Sequence, residues 1–409
     1  MTTDLEALYR DLHAHPELAF AEHRTAEIAA SRMSDLGLDV TIGVGGTGVV
    51  AVLVNGDGPV VYLRADMDAL PVREETGLEY ASTDTATDAS GGEVGVMHAC
   101  GHDMHVTCLV GAVEVLVTRR SEWSGTLVAL FQPAEELIGG AKAMVDDGLA
   151  RRFPTPDVVL GQHVFPMAAG TISLHAGTAM ASVDNMEITF TGRGGHGSRP
   201  ETTIDPIVAA SSTVMRLQTI VSREIDPKKV AVVTVGSFQA GTKSNIIPAT
   251  AALGLTVRTT DAEIRQHTLT AIARIAKAEA LASNMTVEPE LLMMESGEAT
   301  INDVAATERL RERFIAEHGA SAVIDVGTVM GSEDVGTLAK PSGAPLVYWF
   351  FGGTDPVTYA RAEAAGTVAE DIPTNHSPLF APVIQPTIDH GVSNMTIAAL
   401  EWLGKPARS

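Results

Sequence analysis

The strongest constraint in this chain is a recurring unit: a short, nearly unbroken run of branched apolar residues that ends in a turn and then in polar side chains. VVAVLVN, VVYLRADMD, GTLVALFQPAEE, DVVLGQHVFP and LVYWFFGG follow one another along 409 residues, separated by helical patterns such as TAEIAASRMSDLG and VSNMTIAALEWL. A strand with one wet face alternates apolar and polar residues, whereas a run that is apolar throughout suits a strand buried on both faces. The expected fold class is therefore α/β, with a mostly parallel sheet covered by helices. The length exceeds what one core ordinarily holds, and the texture changes from about residue 183. From there MEITFTG, DPIVAASSTVMRLQTIVSR, VAVVTVG, ATAALGLTVRT, DAEIRQHTLTAIARIAKAEALA and MTVEPELL read strand–helix–strand–strand–helix–strand. That is the order of a ferredoxin-like α+β unit. The expected organisation is a large domain over 1–182 and 295–409, interrupted by a smaller domain over 183–294.

Composition narrows the function classes. The formal charge of −23 repels polyanions, which weighs against nucleic acid and anionic membrane as partners. Aromatic residues make up 4% of the chain and leave few stacking platforms for single strands. No apolar run approaches the roughly 20 residues of a membrane span. The N-terminal MTTDLEALYRDLHAH lacks the basic start and apolar stretch of a secretory signal, and Thr3 with Glu6 reads as a capping box opening a helix. Only Cys100 and Cys108 are present, which suggests no disulfide framework and a reducing cytoplasm.

Two glycine-rich stretches imitate nucleotide sites. GVGGTG at 43–48 satisfies G-x-G-x-x-G, but a helical pattern precedes it and a strand follows, the reverse of the dinucleotide motif. A flexible turn is expected there. TGRGGHGSRP lacks the Lys-Ser/Thr ending of a phosphate loop.

The chemistry concentrates in LRADMDALP, MHACGHDMH, FQPAEE and GQHVFP, all at or just after expected strand ends, and in NHSPLF near the C-terminus. In an open α/β sheet the carboxyl ends of neighbouring strands face one crevice, so groups far apart in sequence can meet there. Singly, each has an ordinary explanation. Asp68 before Leu-Pro can start a turn, Glu135 and Glu136 can be solvated at a helix start, and Cys108 reads as a small core residue. Together they offer a metal site, a nucleophilic cysteine or a redox pair. Adjacent carboxylates point in different directions, so one of Glu135 and Glu136 can bind a cation while the other holds water. Thiolate, imidazole and carboxylate in one set suit zinc, cobalt, nickel or manganese and not calcium or magnesium. Cys100 and His102 can face the same site only if Gly101 lets the loop bend sharply. Four or five ligands exceed the three of a mononuclear catalytic zinc, which suggests a second metal with Cys100 as one candidate bridge.

DLHAHPEL, LRADMDALP, MHACGHDMH, FQPAEE, GQHVFP, GGHGSRP and HSPLF together resemble the bimetallic aminoacylase/carboxypeptidase-type amidohydrolases, most closely the branch of hippurate and indole-acetyl-amino-acid hydrolases. The resemblance implies two divalent ions per subunit, held by Cys100, His102, Glu136, His163 and His376. It makes Glu135 the general base and acid, and Asp68 the carboxylate that orients a ligand histidine. Some relatives carry a ligand histidine where Asp66 stands, so this chain follows the cysteine-containing branch. The Glu-Asp-Phe segment of the family appears as SEDV at 332–335, with Val335 in place of the aromatic residue. The inserted domain is implied to be a lid that forms a homodimer or higher homo-oligomer. In it His196 would stabilise the oxyanion, and Asn245 and Arg258 would hold the substrate carboxylate. His98, Asp103 and His105 accompany the ligands without a firm role, and His13 and His15 are not read as ligands. The implied reaction is metal-dependent hydrolysis of N-acyl-amino acids. A dipeptidase or carboxypeptidase on the same scaffold, a catalytically silent metal-binding protein and a cysteine-nucleophile enzyme are the alternatives.

Overall fold

The computed structural model describes residues 5–87 and 91–404. Thr3 of the expected capping box lies outside them, while Glu6 stands in the first turn of helix α1 (Leu5–Ala14). The chain divides into two compact units, one built from Met1–Ala179, Ile301–Gly327 and Asp334–Ser409, the other from Met180–Thr300 and Thr328–Glu333. None of the described helices is long and apolar enough to cross a membrane.

The larger unit is built on an eight-stranded sheet. Its long strands are β1 (Asp39–Val44), β2 (Gly48–Asn55), β3 (Val60–Asp66), β4 (Gly125–Gln132), β5 (Val158–Ala168) and β6 (Leu346–Thr354). They lie side by side in the order β1-β2-β4-β3-β5-β6, and the short strands Ile172–Ser173 and Val323–Ile324 complete the edge. β4, β3, β5 and β6 pair in parallel, while β1 and β2 join as an antiparallel hairpin. The expected mostly parallel sheet is thus parallel through its centre and antiparallel towards its edges.

The four central strands are buried almost residue by residue because helices cover both faces. On one face Val61, Leu63, Leu127, Ala129, Leu160 and Trp349 meet helices α1, α2 (His23–Asp35), α3 (His102–Thr118) and α5 (Ile384–Trp402). Short helices, among them α4 (Gly140–Asp146), lie against the sheet's other face. Helix α3 is apolar nearly all round because the sheet, α1 and α5 surround it. Cys108 sits inside this core, as its apolar neighbours suggested.

In the smaller unit a four-stranded antiparallel sheet carries two helices on one face. Its strands run in the order Ala231–Ala240, Thr250–Thr259, Ser182–Thr191, Glu290–Gly297. Alternate residues Met186, Ile188 and Phe190, with Leu253, Leu255 and Val257, pack on the helices Pro206–Arg223 and Ala262–Ala282. Asp205 and Asp261 cap those helices by accepting backbone N–H groups, an interaction that contributes about 1 kcal/mol each. The last strand starts five residues later than MTVEPELL implied. Pro289 has no N–H for a ladder, so pairing begins at Glu290.

One buried contact ties the start of the chain to the base of α3. His13 lies between Asp103, 2.6 Å from Nδ1, and Glu74, 3.1 Å from Nε2, with all three side chains closed to solvent. Burial alone would lower the pKa of this imidazole. The hydrogen bonds and charges of Asp103 and Glu74 outweigh it and hold His13 up at about 10. Both ring nitrogens of His13 are taken by carboxylates, which leaves no lone pair for a metal, in keeping with its sequence reading. His13→Ala removes the cation between two buried carboxylates and is expected to cost about 3 kcal/mol. Because the folded pKa lies above the unfolded one, the contribution is complete below about pH 6.5 and disappears towards pH 10. Urea unfolding of both proteins at several pH values checks this. A stability gap that stays constant between pH 6.5 and 10 would contradict the assignment.

Candidate functional site

The sheet order brings the chemistry to the carboxyl ends of its parallel strands. Asp66 ends β3 and Asp68 follows it, while β4 stops at Gln132 because Pro133 cannot extend the ladder, and Glu135 and Glu136 come next. His163 differs from expectation: it lies inside β5, level with Phe350 of β6, and not after the strand. Pairing of β5 with β3 ends at Gly161, so His163 sits just beyond the end of that ladder.

The Cys100–His102 bend takes the form its glycine suggested. Gly101 has φ 82°, and a Cβ there would lie 2.4 Å from Val164 Cγ1. Neither the dihedral nor the space admits a side chain, and the sharp bend sets His102 at the first position of α3. His376 also has a left-handed backbone, φ 71°, and its N–H donates to Ala99 O at 2.8 Å. Asn375 holds the same junction, donating to Cys100 O and Val164 O.

Ligand-type atoms of Cys100, His102 and His163 lie within 4.8 Å of one another, as do those of Cys100, Glu136 and His376 and those of His102, Glu135 and Glu136. The five candidate ligands and Glu135 therefore share one neighbourhood. Burial alone would lower the pKa of His102, but the carboxylates of Asp66, Asp68 and Glu136 outweigh it and hold the ring up at about 10, so a bound cation would take the place of that proton. His163 Nδ1 donates to Val164 O at 2.7 Å, which leaves the Nε2 lone pair facing Cys100 Sγ at 3.5 Å. Burial, reinforced by His105, holds His163 well below the usual histidine range, so the ring is neutral. Burial and the nearby carboxylates of Glu136 and Glu135 push the Cys100 thiol well up, and burial also raises Glu136. A thiolate here needs a neighbouring positive charge, which is the opposite of the lowered pKa that a nucleophilic cysteine requires. Glu136 Oε1 and both ring nitrogens of His102 are buried without hydrogen-bond partners. Orphaned polar atoms and the neutral His163 imidazole in one neighbourhood fit divalent metal ions.

The remaining groups orient this set. Asp68 Oδ1 and Oδ2 accept the N–H groups of Glu135 and Glu136, each at 3.0 Å. Oδ1 also lies 3.3 Å from His102 Nδ1, near enough for charge attraction but off hydrogen-bond alignment. His105 Nδ1 donates to Asp66 Oδ1 at 2.5 Å and its Nε2 accepts Val164 N–H at 2.8 Å. Both of its nitrogens are engaged, so it positions β5. Asp66 pairs in turn with buried Arg64 at 2.7 Å. His98 is buried and neutral, its pKa lowered by burial to about 4, with neither nitrogen bonded. Glu135 is 5% exposed and the Glu136 side chain 9%, so neither is the solvated carboxylate of a helix start.

Several neighbours lie in the quoted motifs but have no role of their own in the sequence reading. Gln132 accepts from Arg64 and donates to Asp334, whose other oxygen accepts Ala141 N–H. Asp334 belongs to SEDV, and its neighbour Val335 is fully buried. Asn375 could have been suspected only from its place beside His376.

His196, Asn245 and Arg258 belong to the smaller unit. The strand Gly195–His196 pairs with Ile246–Ile247, and Gly197 N–H donates to Asn245 O at 2.8 Å, so His196 and Asn245 adjoin. His196 Nδ1 accepts Ser198 N–H at 3.1 Å, which places the proton of the neutral ring on Nε2. Half-buried Arg258 donates to Ser332 Oγ at 2.5 Å.

The profile of Peptidase family M20/M25/M40 matches residues 62–375. The hippurate hydrolase of Campylobacter jejuni is 43% identical over 287 residues, which cover 70% of this chain and 72% of that protein. Thermostable carboxypeptidase 1 of Saccharolobus solfataricus is 35% identical, with 84% of each chain covered. Among solved structures, the Bacillus subtilis YXEP protein, described as a dinuclear metal binding peptidase from the M20 family, superposes with a TM-score of 0.75. It is 29% identical, with 98% of this chain and 97% of that one covered.

Because Asp68 holds two backbone N–H groups and faces His102, Asp68→Ala is expected to weaken metal binding about ten- to hundredfold. Competition with a metal-sensitive chelator measures this, and wild-type affinity in the variant would remove Asp68 from the orienting role.

Proposed function

The chain belongs to peptidase family M20/M25/M40, whose members hydrolyse amide bonds, and we propose that it cleaves N-acyl-amino acids into a carboxylic acid and an amino acid. The observation that carries this reading is the meeting of Cys100, His102, Glu136, His163 and His376 around a space that Glu135 also faces. Those five residues would hold two divalent ions, of which zinc, manganese, cobalt and nickel suit the donors. Such ions supply Lewis acidity towards a carbonyl and raise the acidity of water.

The protein's own part is proton transfer and positioning. Glu135 takes a proton from the attacking water and passes it to the departing nitrogen. Its burial strengthens every charge interaction it makes, and Asp68 fixes its backbone so that the carboxylate keeps one direction. The smaller unit would contribute substrate contacts. His196, with its proton on Nε2, is in the state to donate to a developing oxyanion. The Arg258 guanidinium, with Asn245, would bind the carboxylate of the amino acid. We place the enzyme in the cytoplasm, where free Cys100 and Cys108 stay reduced, as a homodimer or higher homo-oligomer.

The similarity to a carboxypeptidase over 84% of the chain keeps dipeptides as the rival substrate class. Turnover of N-acetyl-, N-benzoyl- and longer-acyl amino acids beside dipeptides separates the two. Higher kcat/KM on the acyl compounds is expected, and exclusive turnover of dipeptides would replace this reading with the peptidase one. Glu135→Ala should keep its metal, as measured by metal analysis, yet lose activity by at least about a hundredfold. Near wild-type turnover would remove Glu135 from proton transfer.

A further inference from the structure

The glycine-rich turn at 43–48 closes the β1–β2 hairpin and packs tightly. A Cβ at Gly45 would lie 2.4 Å from the Met144 nitrogen of α4, and one at Gly48 would lie 3.1 Å from Pro133 Cδ. The turn thus abuts the segment carrying Glu135 and Glu136 on both its flanks, and it is fixed where the sequence suggested flexibility. Thr47 in this turn donates its hydroxyl to Glu22 Oε2. Glu22 is closed to solvent, and its Oε1 accepts the N–H groups of Phe20 at 2.9 Å and Ala134 at 2.8 Å. Ala134 has φ 47° and ψ 44°, the left-handed region that an L-residue enters only when its surroundings demand it. Three successive N–H groups, those of Ala134, Glu135 and Glu136, therefore end on two buried carboxylates, Glu22 and Asp68.

We propose that Glu22, seated by Thr47 and the glycine turn, is a positioning residue that holds Ala134 left-handed and so sets the directions in which Glu135 and Glu136 leave the backbone. Without this acceptor the Ala134 N–H is buried and unpaired, and the turn gains by relaxing towards the right-handed region. A rotation at Ala134 swings the peptide plane that begins Glu135, which moves both carboxylates together. Glutamine reproduces the contacts: its oxygen accepts the two N–H groups and its amide donates to Thr47 Oγ1. The catalytic consequence rests on Glu135 being the base, whereas the fixing of the turn does not.

The test therefore has two arms. In the metal-free protein, amide hydrogen exchange is followed for peptides covering 132–141 in wild type, Glu22→Ala, Glu22→Gln and Thr47→Val. Glu22→Ala is expected to speed exchange of that segment about tenfold while peptides of β3 and β5 keep their protection, Thr47→Val to have a smaller local effect, and Glu22→Gln to restore it. In the metal-loaded enzyme Glu22→Ala should lower kcat about ten- to hundredfold with little change in KM, and Glu22→Gln should recover most of it. Should the alanine variant not fold, Thr47→Val, which deletes one hydroxyl bond, carries the same local comparison. Unchanged exchange at 132–141, acceleration spread evenly over all peptides, or equal losses in the alanine and glutamine variants would overturn the proposal. Local acceleration in a protein inert on every amide tested would support the fixed turn and count against Glu135 as base.

Discussion

Crowded buried negative charge is the condition around which the larger unit is organised. Asp66, Asp68, Cys100 and Glu135 are buried, and Glu136 leaves only 9% of its side chain exposed. Two like charges about 4 Å apart repel by about 4 kcal/mol at the effective dielectric of a protein, so such a set survives only if each charge is answered. Asp66 is answered by Arg64 and His105, and Asp68 by two backbone N–H groups and the nearby His102. The thiol of Cys100 and the carboxyl of Glu136 are left raised by burial. A divalent cation is what turns this arrangement from a penalty into a site.

The fold supports that arrangement by tying each ligand-bearing segment to a different part of the sheet. His105 links the end of β3 to the middle of β5, placing His163 relative to Asp66. Asn375 and the His376 N–H fasten a distant C-terminal segment to the loop around Cys100. The segment 132–141 is held at Gln132, Ala134, Glu135, Glu136 and Ala141 by buried Arg64, Asp334, Glu22 and Asp68. More than half of these anchors join a side chain to a backbone group, which fixes direction as well as position. That is what a pair of adjacent carboxylates with different tasks requires.

Much of the fold was legible because burial on two faces leaves an unbroken apolar run, and β3, β4, β5 and β6 all came from such runs. Helix starts were legible where aspartate precedes the pattern, as at Asp205 and Asp261. Boundaries are less legible. MTVEPELL reads as a strand from Met285, whereas Pro289 delays pairing to Glu290. His163 reads as following its strand, whereas the ladder to β6 runs past it although the ladder to β3 has ended.

By itself the sequence determined the kinds of donor available, their order along the chain and the sharp bend at Gly101, since residue type and glycine freedom are local properties. It could not determine that Glu22 would meet Ala134, that both nitrogens of His105 would be taken, or that Asp334 would anchor Ala141, because each partner is brought by a different strand or helix. Only the tertiary structure decided which acids are answered by the protein's own N–H groups and arginine and which are left for a cation, because that choice depends on burial and distance across elements far apart in the chain.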